Sequence, residues 1–550
     1  MEPRVRLPQG TYVGRRHLPT ATRPRALDVF LGIPYALSTG GRDRFRPARA
    51  VPERGGEEDK EFNSAVLGPI SPYTNAAGEP LASGEDCLSV NIVFPSPESG
   101  GMDGNAAREG KLPVVVYFHG GAFNMGFGAD RDMLSFVAHS RRDVVAVSFN
   151  YRLGALGFLP SASVVGEEGR GALNLGLGDQ KAAMAWVARN IGAFGGDVGR
   201  VGVIGISAGA HSIGHHLLSE SPPFSKAILE SGAPTSRAVL HPHHPRHESH
   251  FSEFLSALDI PTSDPAPLSR LRDVPLAKLT AAAQEVWETN AAAVTWPFQP
   301  VIDGPGGHIE RSPLALLKEG RGRGVPLITG FCTHEGTAFV PRANDASSFR
   351  SFFQVLIPGL SATDMDVLEG LYPLSEYADP PPEGMGAHWR RLEAAYAHYA
   401  YIAPVLQTAA FLAPHAPVYV YEFAVPGGPL RTANHTDQTP YVTRSLEGAG
   451  MGHHEGLGAV SRAMHGFFSE FLAGEEALEG WPRFISPDEG GGDGLEAAKI
   501  MVFGRGNTEL VGGEERGVAY EVRTLGAREM ERIRFWWEKT ILSQGMGDGI

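Results

Sequence analysis

Residues 201–216 read VGVIGISAGAHSIGHH. An apolar, β-branched run, VGVIG, meets a small-residue stretch that continues as AGAHSIGHHLL, and Ser207 stands at the junction. A strand that turns this sharply into a helix forces the junction residue into strained backbone angles, and the turn tolerates only small residues two places to either side. Gly205-Ile206-Ser207-Ala208-Gly209 meets that demand. The G-x-S-x-G pattern alone is weak, since with 69 glycines in 550 residues chance supplies roughly half an occurrence. Two readings stand at this point: an ordinary tight turn, or a nucleophile lifted clear of a sheet at the positive end of a helix dipole.

Similar runs surround it. VVVYFHGG (114–121), DVVAVSFNYR (143–152), RVGVIGIS (200–207), KAILESG (226–232), PLITGF (326–331), PVYVYEFAV (417–425) and KIMVFG (499–504) are short and continuously apolar. Such runs suit strands buried on both faces of a mostly parallel sheet. DQKAAMAWVARNIGAF (179–194) places Ala182, Ala185, Trp186 and Arg189 at helical spacing, and Gly195-Gly196 ends it. The alternation predicts an α/β architecture with helices on both faces of the sheet. Segments 235–297 and 337–413 read as helical excursions above it, and 526–542 as a C-terminal helix packing Phe535 and Trp536 onto the body. The glycine-rich stretches 97–111 and 487–495 read as surface connections within one domain spanning 1–550.

The totals exclude several classes. A net charge of −14 with acids and bases interspersed argues against nucleic acid as a partner. No apolar run is long enough to cross a bilayer, so no membrane partner is expected. The first 30 residues carry charges and prolines where a secretory signal needs an apolar stretch. Cys87 and Cys332, the two cysteines present, make no disulfide framework, and the expected setting is cytoplasmic. HPHHPRHESH (241–250) reads as an exposed loop rather than a metal site, and the sequon at Asn434-His435-Thr436 carries no weight without secretion. Nothing in the sequence speaks to oligomeric state.

Acyl transfer at a serine also needs donors for the oxyanion. His119-Gly120-Gly121-Ala122-Phe123 follows the run VVVYF, and its small residues let backbone N–H groups converge. Each such donor contributes on the order of 3 kcal/mol to the transition state. The other reading is a plain glycine turn, but two glycine features at strand C-terminal ends lie where open α/β sheets bind ligands.

With these motifs the sequence resembles the type-B carboxylesterases, the family that includes the cholinesterases. The matching stretches run in order: DVFLGIPYA (28–36), GEDCLSVNI (84–92), HGGAF (119–123), NYRLGALGFL (150–159), NLGLGDQKAAMAWVARNIGAFGGD (174–197), the serine turn, AILESGAP (227–234), PVIDG (300–304) and THEGTAF (333–339). The resemblance implies the α/β-hydrolase fold, Ser207 as nucleophile, Glu335 as triad acid, and Gly121, Ala122 and Ala208 as oxyanion donors. For the histidine, the G-x-x-H context of Gly450-Met451-Gly452-His453 implies His453, with His454 as the alternative. His415, His435 and His465 lack that context and read as surface or helix residues. The family's acid three positions after the histidine is Gly456 in this alignment. No metal or cofactor is implied.

The departures shape the expected substrate. Ile206 replaces a family glutamate beside the nucleophile, and no tryptophan precedes Glu85-Asp86-Cys87-Leu88, so choline esters fit poorly. Trp296 falls in the family's acyl pocket, where it either narrows the pocket or simply packs the core, and Phe123 flanks the entrance. The expectation is a serine esterase acting on a small or medium-sized uncharged ester. An acyltransferase or lactone-forming enzyme with the same triad, or an inactive binding relative, are the alternatives.

Overall fold

The computed structural model describes residues 2–53, 60–73, 82–97, 110–236, 239–474, 477–485 and 498–544. Most of the two glycine-rich connections, 97–111 and 487–495, lies outside the described residues. An 11-stranded sheet runs through the molecule. Its strands are β1 (Arg15–His17), β2 (Leu27–Pro34), β3 (Ser89–Pro95), β4 (Leu112–Phe118), β5 (Val145–Phe149), β6 (Gly196–Ile206), β7 (Lys226–Glu230), β8 (Leu327–Cys332), β9 (Val418–Phe423), β10 (Lys499–Phe503) and β11 (Tyr520–Thr524). They are ordered β11-β10-β9-β8-β7-β6-β4-β5-β3-β2-β1. The run from β10 to β5 is parallel, and β1 to β3 and β11 add antiparallel edges.

The parallel strands are those the apolar runs predicted, and the reason is visible in β4. Val114, Val116 and Phe118 enter one hydrophobic cluster while Val115 and Tyr117 enter another on the opposite face. Both faces are covered, so no polar alternation survives in the sequence. The antiparallel β1 and β2, and a small sheet of Arg4–Leu7, Gly10–Val13 and Glu61–Asn63, were not predicted. Both are built from strands that carry exposed or half-buried positions.

The helix predicted over 179–194 begins earlier: α1 spans Leu175–Asn190, followed by a 3-10 turn to Phe194. After Ser207 comes α2 (Ala208–Leu217), and the excursions supply α3 (Pro245–Ser256) and α4 (Leu276–Ala291) among others. The segment 241–250 is not an exposed loop. Its second half is the first turn of α3, started by Pro245, and His247 and His250 are buried. The C-terminal helix is α5 (Ala527–Glu538), which buries Phe535 and Trp536 as predicted.

Strand order decides where the site forms. From β4 the chain moves to β5 on one side, then returns across β4 to lay β6 on the other. The loops after β4 and β6 therefore leave the sheet in opposite directions and open a crevice between Phe118 and Ile206.

Candidate active site

Ser207 occupies that crevice with φ 54° and ψ −121°, a backbone conformation that costs a non-glycine residue energy. The surroundings enforce it. The Ser207 N–H donates to the Glu230 carbonyl of β7 (2.9 Å), and its own carbonyl accepts from His211 N–H (2.9 Å). Beneath, Glu230 forms a fully buried ion pair with Arg131. The flanking glycines are close-packed: a Cβ on Gly205 would lie 2.7 Å from the Gly209 carbonyl, and one on Gly209 would lie 2.1 Å from Phe118 O. Helix α2 thus rests directly on the end of β4, which only glycine permits.

The loop after β4 wraps the same point. A Cβ on Gly120 would sit 3.3 Å from Ser207 Cβ. Gly121, Ala122 and Phe123 have φ of 105°, 54° and 63°, a succession of left-handed residues that turns successive N–H groups inward. The N–H groups of Gly121, Ala122 and Ala208 have no acceptor among the described residues. The loop is fixed from behind: Gln299 Nε2 and Asn124 Nδ2 donate to Ala122 O (both 2.9 Å), and Gly154 N–H donates to Phe123 O (2.8 Å). Tyr151 stacks on His119 and donates its hydroxyl to His119 O. Burial lowers His119 to about 4.

Glu335 stands just past β8 and is fully buried. One carboxylate oxygen accepts Cys332 N–H (2.7 Å), and the other is hydrogen-bonded to Nδ1 of His435. His453, the histidine expected there, is not. It lies on the turn before the helix Glu455–Ala473, packed against its neighbour His454 with ring centres 3.9 Å apart, and is exposed. His435 takes the position because it stands in the first loop after β9, which is drawn onto β8 by a bridge between His334 and Asn434. His334 N–H donates to Ala433 O (2.9 Å), and Asp437 caps the loop by accepting Asn434 N–H (2.8 Å). The signal missed was proximity to β9: His435 precedes the helix Thr439–Thr443, whereas His453 and His454 follow it.

Three positions after His435 stands Gln438, an uncharged isostere of the acid expected at that spacing. It is fully buried and bonds to Cys332 Sγ (3.0 Å) and Ser231 Oγ (3.2 Å), pinning the histidine loop to the ends of β8 and β7. Nε2 of His435, the nitrogen turned away from Glu335, is buried and has no partner among the described residues. Close by, Glu393 accepts Gly336 N–H (3.0 Å), and burial together with the nearby Glu335 raises its carboxyl to about 8.

Aromatic rings line the approach. Tyr401 and Phe339 lie 4.6 and 5.0 Å from the His435 ring, and Phe339 lies 5.4 Å from Trp296. Tyr401 projects from a π-helical turn, His398–Ile402, of the kind that often marks a functional site. Pro404 just beyond supplies no N–H to the helix ladder. A hollow lined by Tyr73, Met125, Leu156, Leu279 and Trp287 adjoins the loop after β4. Phe123 turns inward against Phe158 rather than standing at the entrance. Ile206 is buried in the same cluster as Ile204 and Val115.

The match to known families agrees with this geometry: residues 1–490 fit the model described as the carboxylesterase family. The chain belongs to the carboxylesterase family. It is 31% identical over 521 residues to the fumonisin B1 esterase of Sphingopyxis macrogoltabida, covering 90% of this chain and 86% of that one. It is 32% identical over 399 residues to secreted lipase 4 of Gibberella zeae, covering 70% of this chain and 68% of its relative. A solved PNB esterase superposes with a TM-score of 0.73 at 26% identity, covering 97% of this chain and 100% of the other. This carboxylesterase therefore has the α/β-hydrolase fold and is a carboxylic ester hydrolase. Among the described residues no helix is long and apolar enough to cross a membrane, and no cluster of histidine, cysteine or carboxylate side chains is grouped to hold a metal.

Proposed function

We propose that the enzyme hydrolyses esters through an acyl-enzyme on Ser207, with His435 as base and Glu335 as its partner. The observation that carries this is the buried hydrogen bond between Glu335 and His435 Nδ1, which leaves Nε2 unengaged. His435 Nε2 takes the proton as Ser207 Oγ attacks the ester carbonyl. Glu335 holds the ring's tautomer and stabilises the imidazolium that forms. The N–H groups of Gly121, Ala122 and Ala208 receive the oxyanion. Collapse of the tetrahedral intermediate returns the proton from His435 to the departing alkoxide, and a water activated by the same nitrogen then releases the acid.

The substrate at its reacting end is small or medium-sized and uncharged, since Phe339 and Tyr401 pack against the histidine, Trp296 packs against Phe339, and Ile206 supplies no carboxylate to draw a cation. Two buried, unpaired thiols, Cys87 and Cys332, support a reducing, cytoplasmic setting. The test is turnover of a p-nitrophenyl ester series with peptide mass spectrometry of enzyme quenched during the steady state. A transient acyl mass on the Ser207 peptide, and loss of turnover by about a thousandfold or more in Ser207→Ala, is the expected result. Full turnover by Ser207→Ala rejects the reading.

A further inference from the structure

Behind Trp296 lies a narrow recess whose walls include Arg246, His247, Gln299, Tyr396 and Tyr399, and none of the described residues lining it is acidic. Both polar groups from the first turn of α3 are unusual. Arg246 donates Nη2 to the Leu356 carbonyl (3.0 Å), and more weakly to that of Val355, at the end of the helix Ala346–Leu356. It makes no ion pair with a carboxylate among the described residues. His247 is 4% exposed, and both of its ring nitrogens are buried without a partner among the described residues. A buried polar group left unpaired is destabilising unless something pairs with it. A protein that is strongly acidic overall thus keeps an unneutralised guanidinium and an unsatisfied imidazole side by side in one hollow.

Ring packing connects the recess to the catalytic residues. Trp296 and Tyr396, two of its walls, lie 5.4 and 5.8 Å from Phe339, which itself lies 5.0 Å from His435. Gln299, a third wall, donates to the Ala122 carbonyl of the loop after β4. The recess therefore borders the site along Trp296, Tyr396 and Gln299.

We propose that this recess is a carboxylate-binding subsite, and that the preferred esters carry a free carboxylate on their acyl or their alcohol part. A carboxylate there accepts from the remaining guanidinium N–H groups of Arg246, a charge-assisted arrangement, and from the N–H of neutral His247. Burial and the neighbouring His250, His244 and Arg246 hold that imidazole well below its ordinary range, so it donates one hydrogen bond without adding charge. The subsite rests on the acyl-enzyme reading above and deepens it: Ile206 withholds attraction from cations, and Arg246 supplies it to anions.

The test compares charged and neutral isosteres on each arm of the ester. p-Nitrophenyl hemiglutarate against p-nitrophenyl pentanoate reports on the acyl part, and 4-carboxyphenyl butyrate against phenyl butyrate on the alcohol part. The ratio of kcat/KM for the charged over the neutral ester is measured in the wild type, Arg246→Met, Arg246→Lys and His247→Phe. On one arm the ratio falls at least about tenfold in Arg246→Met and His247→Phe and recovers in part in Arg246→Lys, and that arm identifies which part of the ester bears the carboxylate. A ratio unchanged on both arms overturns the subsite. If Arg246→Met does not fold, the wild-type enzyme decides: glutarate inhibits neutral-ester turnover at least about tenfold more tightly than glutaramide, and equal inhibition overturns the proposal. Ser207→Ala separates the two readings, since turnover that survives it rejects the acyl-enzyme, while an unchanged ratio with Ser207-dependent turnover rejects only the subsite.

Discussion

His435 and Glu335 are joined by a buried hydrogen bond across 100 residues of chain, from the loop after β9 to the loop after β8. Replacing either partner leaves the other buried without its counterpart. His435→Ala lowers kcat on a p-nitrophenyl ester by about 10³-fold or more. His453→Ala, on an exposed turn, stays within about twofold of wild type. Steady-state kinetics of the two variants side by side make the comparison, and equal losses contradict it.

The serine turn depends on glycine at 209. A Cβ there would stand 2.1 Å from Phe118 O, a backbone atom that cannot step aside. Gly209→Ala pushes α2 off the end of β4 and moves Ser207 with it, costing about 1–3 kcal/mol in urea unfolding and most of the activity. Unchanged stability would mean the helix and strand tolerate separation.

Gln438 acts on the histidine from behind. Gln438→Ala removes its bonds to Cys332 and Ser231 inside the protein and destabilises it by about 1–3 kcal/mol. Loosening the loop that carries His435 lowers kcat more than it changes KM. An effect on KM alone would place Gln438 at the substrate rather than behind the base.

Glu393 makes stability depend on pH. Its burial raises the carboxyl from an ordinary value of 4.5 to about 8, so between those limits the folded protein retains a proton that the unfolded chain releases. The stabilisation is complete below the lower value and is lost as pH rises through the upper one. This group therefore contributes a fall in melting temperature between about pH 5 and about pH 8.5, read as the difference between wild type and variant. Glu393→Gln, which keeps an acceptor for Gly336 N–H, flattens that fall. A parallel decline in both proteins contradicts the assignment.

What the sequence revealed, and what it hid, follows from the range of the interactions. Ser207 and the glycines around it were legible because the turn's demands fall on neighbours in sequence, Gly205 and Gly209. The parallel strands were legible because burial on both faces removes alternation, as in Val114 to Phe118. Glu335 was legible from its place directly after β8 and from the family resemblance. His435 was not, because its position is set by a bridge from Asn434 to His334 in the loop after β8 and by the buried Gln438, neither of which leaves a local pattern. The glycine context at Gly450 and Gly452 matched the expected motif on a turn that points to solvent. The histidine-rich stretch 241–250 misled in the opposite direction: its prolines suggested a loop, yet Pro245 starts α3 and turns His247 inward.

The most direct measurement is labelling of the protein with a fluorophosphonate, the adduct located by peptide mass spectrometry in wild type, His435→Ala and His453→Ala. Labelling at Ser207 that is strong in wild type and His453→Ala but nearly absent in His435→Ala is the predicted result, since only a serine activated by its base reacts rapidly. Labelling that survives in His435→Ala and disappears in His453→Ala would contradict the proposed site.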